Sequence, residues 1–433
     1  MLNEGVDIPE IDTILLLRPT ESLTIFLQQL GRGLRLADGK NALTVLDFIA
    51  QAHTAYNYES RFRALMGRNH SSTSENISNG FPFLPPGCSI KMEPVAREYI
   101  LNNILNAAFD IRRLRREVAS FTQNYDKKLT LHNFLEQFGL DWRLIYKTPG
   151  SWSELKKQAG IAMPGYVRTK EVESLENGLA RLYHVNSYEF LTFIQRLTQN
   201  GFIYDVTETK ESKFAQLFYY DVLYLPIEKY NEKFGTQLSS IEDGVAHLAN
   251  YPYFVEELQE LVDIRMSSIR QTTSWIEGIG DIGIELYGCY SADEIHLLCE
   301  NKIKRGIPLG TQYIHDDKLS MVMVTTNKAD KEYSPSTLYK DYAINENQFH
   351  WQSKNDVRID SREGQRFINQ KENGWRFLLF VRDSKKDAFG NSNCYYCLGL
   401  MDYVKSEGEC PMNITWDMRN KIPGFILEKA QAV

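Results

Sequence analysis

The chain has 433 residues, 43% apolar and 24% charged, with a formal net charge of −7. That is too long for one ordinary core, too apolar for a disordered tail, and too acidic to coat nucleic acid with a general basic surface, although a local basic groove stays compatible with it. No apolar run reaches the roughly 18–20 residues of a membrane span, so no membrane is expected as a partner. Residues 8–17 contain Pro9, Glu10 and Asp12 and lack the basic start of a signal peptide. Six cysteines are too few for a disulfide framework in so long a chain, and a reducing cytoplasm is the expected compartment.

In chain order, Met1-Leu2-Asn3-Glu4-Gly5-Val6-Asp7-Ile8-Pro9 opens on a loop that leads at once into a buried strand. A core that starts in mid-pattern is expected of a fragment or a truncated reading frame. Residues 11–18 (IDTILLLR) read as a strand buried on both faces. Pro19-Thr20-Glu21-Ser22 supplies cap chemistry for a helix over 23–30, Gly31 and Gly33 break the pattern, and residues 37–40 form a turn. Residues 43–49 (LTVLDFI) are a second buried strand, so residues 1–68 read as the last portion of a parallel α/β layer.

Residues 70–80 (HSSTSENISNG) are polar and small, and 69–87 reads as a surface linker. The pattern over 88–270 is helical: 95–121 is one long helix or two in tandem bearing Arg112, Arg113, Arg115 and Arg116, and 129–138 and 187–200 are further helices. This spacing predicts an all-α connector or small bundle. Over 271–433, strands at 319–325, 375–381 and 395–404 predict a β-rich domain, a curled sheet or a small barrel. The expected whole is multidomain, α/β plus α+β.

Gly5-Val6-Asp7-Ile8-Pro9 followed by Gln28-Gln29-Leu30-Gly31-Arg32-Gly33-Leu34-Arg35 carries the strongest chemistry. Phosphoryl transfer develops charge that a guanidinium stabilises, and arginine forks onto two oxygens while staying charged. Arg32 and Arg35, three residues apart on one helical turn, can face one cleft. These segments resemble motifs five and six of superfamily-two helicases of the restriction-enzyme-like branch, with Gln28, Gly31, Arg32 and Arg35 matching the pattern Gln-x-x-Gly-Arg-x-x-Arg over about the first 65 residues. The resemblance implies a RecA-like lobe in which Arg32 and Arg35 point at the γ-phosphate, Arg35 as arginine finger. It places Gln28 where it couples nucleotide to lobe, and Gly5 and Asp7 beside the nucleotide and the nucleic-acid backbone. ATP and magnesium are then expected in the complete parent protein. The chain has no phosphate loop and no Asp-Glu-x-His box, so neither is expected to serve this chain alone, and the missing N-terminal helicase lobe is an expected partner.

Tyr339, Asp341 and Tyr342, with Phe349, His350, Trp351, Gln352 and Ser353, are dense in rings and hydrogen-bonding groups. Such a set can hold a flipped base, with Asp341 accepting from the exocyclic amine of cytosine. Composition alone favours a packed β core. The Tyr-x-Asp-Tyr…Phe-His-Trp-Gln-Ser pattern, with Leu379–Arg382 and the run from Tyr395, also resembles an uncharacterised domain that follows helicases in modification-dependent restriction enzymes. That resemblance spans most of residues 81–423 and implies DNA as partner, a modified cytosine as ligand, and a nuclease module in the parent. The expected function is thus the C-terminal part of an ATP-dependent DNA helicase or translocase of phage-defence type with a DNA-recognising C-terminal domain. The alternatives are a protein-interaction or phage-sensing module, or a non-functional gene fragment.

Weaker signals resolve to blander readings. Gly278-Ile279-Gly280-Asp281-Ile282-Gly283 matches a dinucleotide fingerprint but does not follow a strand, and reads as a turn. Cys394, Cys397 and Cys410 do not supply the four ligands of a zinc site, so buried free thiols and no metal are expected. The arginines at 112–116 fit a phosphate contact or a solvated face equally. His132 and His350 lack the partners of a hydrolase triad.

Overall fold

A computed structural model describes residues 8–17, 22–48, 58–66, 72–78, 80–81, 84, 87–108, 111–269, 272–279, 282–300, 311–314, 318–326, 341–386 and 390–430. The chain divides into two compact units, Met1–Leu114 with Leu135–Leu144, and Arg115–Phe134 with Ile145–Val433.

In the first unit, β1 (Thr13–Leu16) and β2 (Thr44–Asp47) pair in parallel, Thr13 opposite Thr44 and Leu16 opposite Asp47. The helix between them, α1, runs Leu23–Gly33, with the Ser22 hydroxyl accepting from Ile25 N. Gly31 and Gly33 therefore do not break it. At Gly33 an added Cβ would come within 2.7 Å of both Ile14 Cδ1 and Leu43 Cδ1, so glycine lets the last turn sit close on the strand layer. Next come α2 (Tyr58–Met66), α3 (Thr73–Ser78) and α4 (Pro94–Ala108). Tyr58, Phe62, Ile77, Ile100 and Ile104 form their shared core.

The segment expected as a surface linker thus contains a short helix. Ile77 is buried, and the Ser72 and Ser74 hydroxyls each donate to Asp141 Oδ2 at 3.3 Å. Burial works to raise the Asp141 carboxyl, but the Arg143 guanidinium, 2.6 Å from Oδ2, holds it below its usual range. Residues 95–121 resolve into two helices, α4 and α5 (Ile111–Asn124). This α5, with α6 (Leu131–Phe138) and α7 (Arg143–Lys147), passes from one unit into the other.

The second unit continues with α8 (Trp152–Gln158), α9 (Lys170–Leu179), α10 (Tyr188–Gln199), α11 (Thr209–Val222), α12 (Ile227–Phe234), α13 (Ile241–His247) and α14 (Pro252–Ser268). Their starts are written in the sequence: Ser151, Thr169, Ser187 and Ser240 each accept from the backbone N–H three residues on, and Pro252 opens α14. Buried Glu257 on α14 accepts from Trp152 N and Ser153 N, both at 2.8 Å, and from the Tyr146 hydroxyl at 2.5 Å. One carboxylate thereby satisfies the open amides at the start of α8.

The C-terminal part of this unit is a mixed sheet. A small antiparallel pair, β3 (Ser274–Trp275) with β4 (Glu285–Leu286), precedes it. Then follow β5 (Cys289–Tyr290), α15 (Ala292–Glu300), β6 (Thr311–Ile314), β7 (Leu319–Thr325), β8 (Tyr342–Asn345), β9 (Gln348–Gln352), α16 (Arg362–Ile368), β10 (Arg376–Arg382), β11 (Tyr395–Glu407), β12 (Asn413–Met418) and α17 (Gly424–Ala430). The strand order is β6-β7-β10-β11-β12-β9-β8, with β5 added beside β11. Strands β7 and β10 run parallel, and the other pairs are antiparallel.

The sheet is open and does not close into a barrel, with β6 and β8 at its two ends. It is also less purely β than the sequence pattern predicts, since α15, α16 and α17 accompany it. Gln370, just after α16, reaches into β11: its amide donates to Met401 O at 2.8 Å and accepts from Tyr403 N at 2.7 Å. This bridges the backbone where β11 shifts register against β12.

The cysteines differ from the free thiols expected. Cys394 forms a disulfide with Cys289 across a Cα separation of 5.8 Å, 105 residues away in sequence. Cys397 is a buried thiol that burial pushes up to about 12, and Cys410 is exposed. Gly278 sits in a turn with φ of 83°.

Gly178 supplies a sharp test of the helical packing. A Cβ there would lie 2.4 Å from the carbonyl oxygen of Val222, a backbone atom at the end of α11. Gly178→Ala is expected to destabilise the second unit by about 1–3 kcal/mol, because α9 and α11 must separate. Chemical denaturation of the two proteins checks it, and an unchanged midpoint would contradict the packing described.

Candidate functional site

Of the helicase-like residues, Gly5 and Asp7 lie outside the described residues. Gln28, exposed, and Arg32, half-buried, sit one turn apart on α1, and Gly31 lies exposed between them. Arg35 does not share that turn. The helix ends at Gly33 with Leu34 N bonded back to Leu30 O, and Arg35 follows in the exposed segment beyond. Lys40 fixes this exit, donating from Nζ to Gly33 O at 2.5 Å, Arg35 O at 2.9 Å and Pro9 O at 3.0 Å. A cation at the end of α1 is where the helix dipole favours one.

On the other side of α1, the Arg61 guanidinium lies 3.9 Å from the Phe26 ring centroid and 2.8 Å from Asp47 Oδ2. Apolar side chains of this segment nevertheless face outward. Leu15 and Leu17 are 55% and 66% exposed, Leu46 and Phe48 47% and 54%. Parallel strands are ordinarily covered on both faces.

In the C-terminal sheet, Tyr339 lies outside the described residues, and strand alternation sorts the rest. Phe349 and Trp351 point into the core with Phe367, Phe377 and Trp416, with ring centroids 5.0–5.5 Å apart for Trp351–Phe367, Phe367–Phe377 and Phe377–Trp416. Ser353 is fully buried, accepting from Met412 N at 2.9 Å and donating to Lys354 O. His350 and Gln352 take the opposite, half-exposed face. Tyr342 lies directly opposite His350 on β8, the two rings stacked at 4.7 Å with 14° between their planes. Asp341 is nearly buried, and its Oδ1 accepts from Gln352 N at 3.0 Å. The structure therefore brings Tyr342, His350 and Gln352 to one face, with buried Asp341 bonded to the Gln352 backbone N–H, and places Phe349, Trp351 and Ser353 across the strand from them.

Pairing across the sheet extends that face into a grid. One row runs Tyr342, His350, Thr415, Lys405 across β8, β9, β12 and β11. The next runs Gln352, Asn413, Glu407, and on the other side Asn345, Gln348, Asp417, Asp402. Gln352 Nε2 donates to Asn413 Oδ1 at 2.7 Å, and Gln348 Nε2 to Asp417 Oδ1 at 2.9 Å. A hydrogen bond from Lys405 Nζ, at 2.9 Å, and its charge hold the Glu407 carboxyl below its usual range, with His350 contributing further. Arg419 forks onto Asp402 at 3.1 and 2.8 Å.

The members on β11 and β12 were missed in sequence. They join β9 only through pairing about 60 residues away, although the alternation in NITWDM and QFHWQ announces one apolar and one polar face in each strand.

The second face behaves differently along the sheet. At β7 and β10, Met321, Met323, Leu378 and Phe380 are buried as well as the core side. At β12, β9 and β8 it is polar and partly open.

Comparison with known proteins adds two findings. Residues 284–429 match the family model of a domain of unknown function, DUF3427. The chain is also 49% identical over 49 residues to the Saccharomyces cerevisiae protein named "Putative ATP-dependent helicase IRC3"; the match covers 11% of this chain and 7% of that protein's length. Together they support a helicase association, and the residues that match the domain of unknown function include the C-terminal sheet.

The two faces of β9 predict opposite responses. Trp351→Ala is expected to cost about 3–5 kcal/mol by opening the aromatic core, whereas His350→Ala is expected to change stability by less than about 1 kcal/mol. Thermal unfolding of the two variants checks it, and equal losses would contradict the assignment of faces.

Proposed function

We propose that this chain forms the C-terminal part of an ATP-dependent DNA helicase or translocase of restriction type, whose C-terminal sheet domain recognises DNA, including modified cytosine. The observation that carries the reading is the open grid on β8, β9, β12 and β11. A stacked ring pair is flanked there by amides and carboxylates, the groups that read base edges. The motor side rests on Gln28, Gly31, Arg32 and Arg35 and on the short helicase match.

The outward leucines of β1 and β2 are, in this reading, covered by the remainder of a RecA-like lobe, and a nuclease module belongs to the same parent. ATP with magnesium would supply the phosphoryl group and its counter-charge. Gln28 and Arg32 present an amide and a guanidinium on one side of α1, and Arg35 a second guanidinium just past its end. These are the donors a triphosphate takes.

The test is fluorescence anisotropy of the whole chain with matched oligonucleotides, single- and double-stranded, with and without 5-methylcytosine. Binding is expected, tighter for the methylated partner and about tenfold weaker in His350→Ala, within the range a single base–ring stack contributes. Equal affinity with and without the methyl group would remove the modified-base element. No binding to any oligonucleotide would overturn the DNA reading and turn the domain into a protein-interaction module.

A further inference from the structure

We infer that the open face of the C-terminal sheet takes unpaired nucleobases by stacking and edge hydrogen bonds, and does not grip the phosphate backbone; this rests on the DNA reading above. Charge decides against the backbone. The grid carries the carboxylates Asp402, Glu407 and Asp417 against Lys405 and the neighbouring Arg419. Each of those cations is engaged by a carboxylate, Lys405 by Glu407 and Arg419 by Asp402. At the rim, Lys421 is held 2.7 Å from Glu346. A polyphosphate strand meeting this face finds neutral to negative potential, whereas backbone binding needs cations that displace counterions.

The same face is well furnished for a heterocycle. The Tyr342 and His350 rings are already parallel, so a third ring continues the stack at the spacing the pair has set. Around them, the Gln348, Gln352 and Asn413 amides and the Asp417 and Glu407 carboxylates, which bond to one another or to Lys405, can exchange those bonds for a base edge. Tyr342 stands on β8, the last strand of the sheet, with no further strand paired beyond it among the described residues.

In a duplex both faces of each base are stacked and the pairing edge is occupied. A broad sheet face then reaches bases only where they are unpaired or turned out. Such a face suits a translocating motor, which exposes single strands as it works.

The experiment compares a labelled single strand of about 15 nucleotides with its duplex, using the full chain at about 50 and 200 mM salt. The single strand is expected to bind at least about tenfold more tightly, and to weaken no more than about threefold over that range, as one phosphate contact would give. Tyr342→Ala and His350→Ala are each expected to lose about tenfold, while Tyr342→Phe, which keeps the ring, and Lys421→Ala at the rim lose less than about twofold. Circular dichroism of each variant shows that it is folded. Duplex binding as tight as the single strand, or a salt loss of about fiftyfold, corresponding to about four phosphates, overturns this inference and leaves the DNA reading standing. Binding of a basic peptide and of no oligonucleotide overturns both.

Discussion

A β-strand offers only every second side chain to each face, and that rule, applied in Gln348–Gln352, organises the C-terminal domain. Phe349 and Trp351 are committed to an aromatic core built with Phe367, Phe377 and Trp416. Once they are committed, Gln348, His350 and Gln352 have no choice but the other face. A slip of one residue would bury two amides and an imidazole and expose two large rings. The register is therefore locked by burial, and the polar grid is held in place by a core it does not touch. The same alternation in Asn413–Met418, with Ile414, Trp416 and Met418 inward, brings Asn413, Thr415 and Asp417 beside it.

The sheet is built for two tasks along its width. Where β7 and β10 run parallel, both faces are buried, as parallel pairs require. Beyond β11 the pairing is antiparallel, and antiparallel sheets tolerate one open face. The polar grid lies on β11, β12, β9 and β8.

Much of this was legible in the sequence, and what was not has identifiable causes. The strand at Leu319–Thr325 follows from its run of Met and Val, and the helix that starts after Ser187 follows from its apolar spacing. The aromatic and amide residues of β8 and β9 stand out by composition, but composition does not assign faces. Alternation does, and it divides them between core and surface. The helix at Thr73–Ser78 was hidden because the group that satisfies its serines, Asp141, lies more than 60 residues away. The partner of Cys394 is likewise remote, and Gly33 reads as a breaker until the strand layer beneath it is known. An open sheet and a small barrel share one strand pattern, because closure is decided by which edges meet. In the helicase-like segment, the spacing that sets Arg32 and Arg35 on one helical turn does not hold, because α1 ends at Gly33.

The face bearing Tyr342 and His350, and not the core face of the same strand, is the one we propose meets DNA bases. Photo-crosslinking with a single strand carrying 5-bromodeoxyuridine, followed by mass spectrometry of the adducts, tests it most directly. Adducts are expected on Tyr342 or His350 and none on Phe349 or Trp351. Adducts confined to elements outside the C-terminal sheet, with Tyr342 and His350 unmodified, would contradict it.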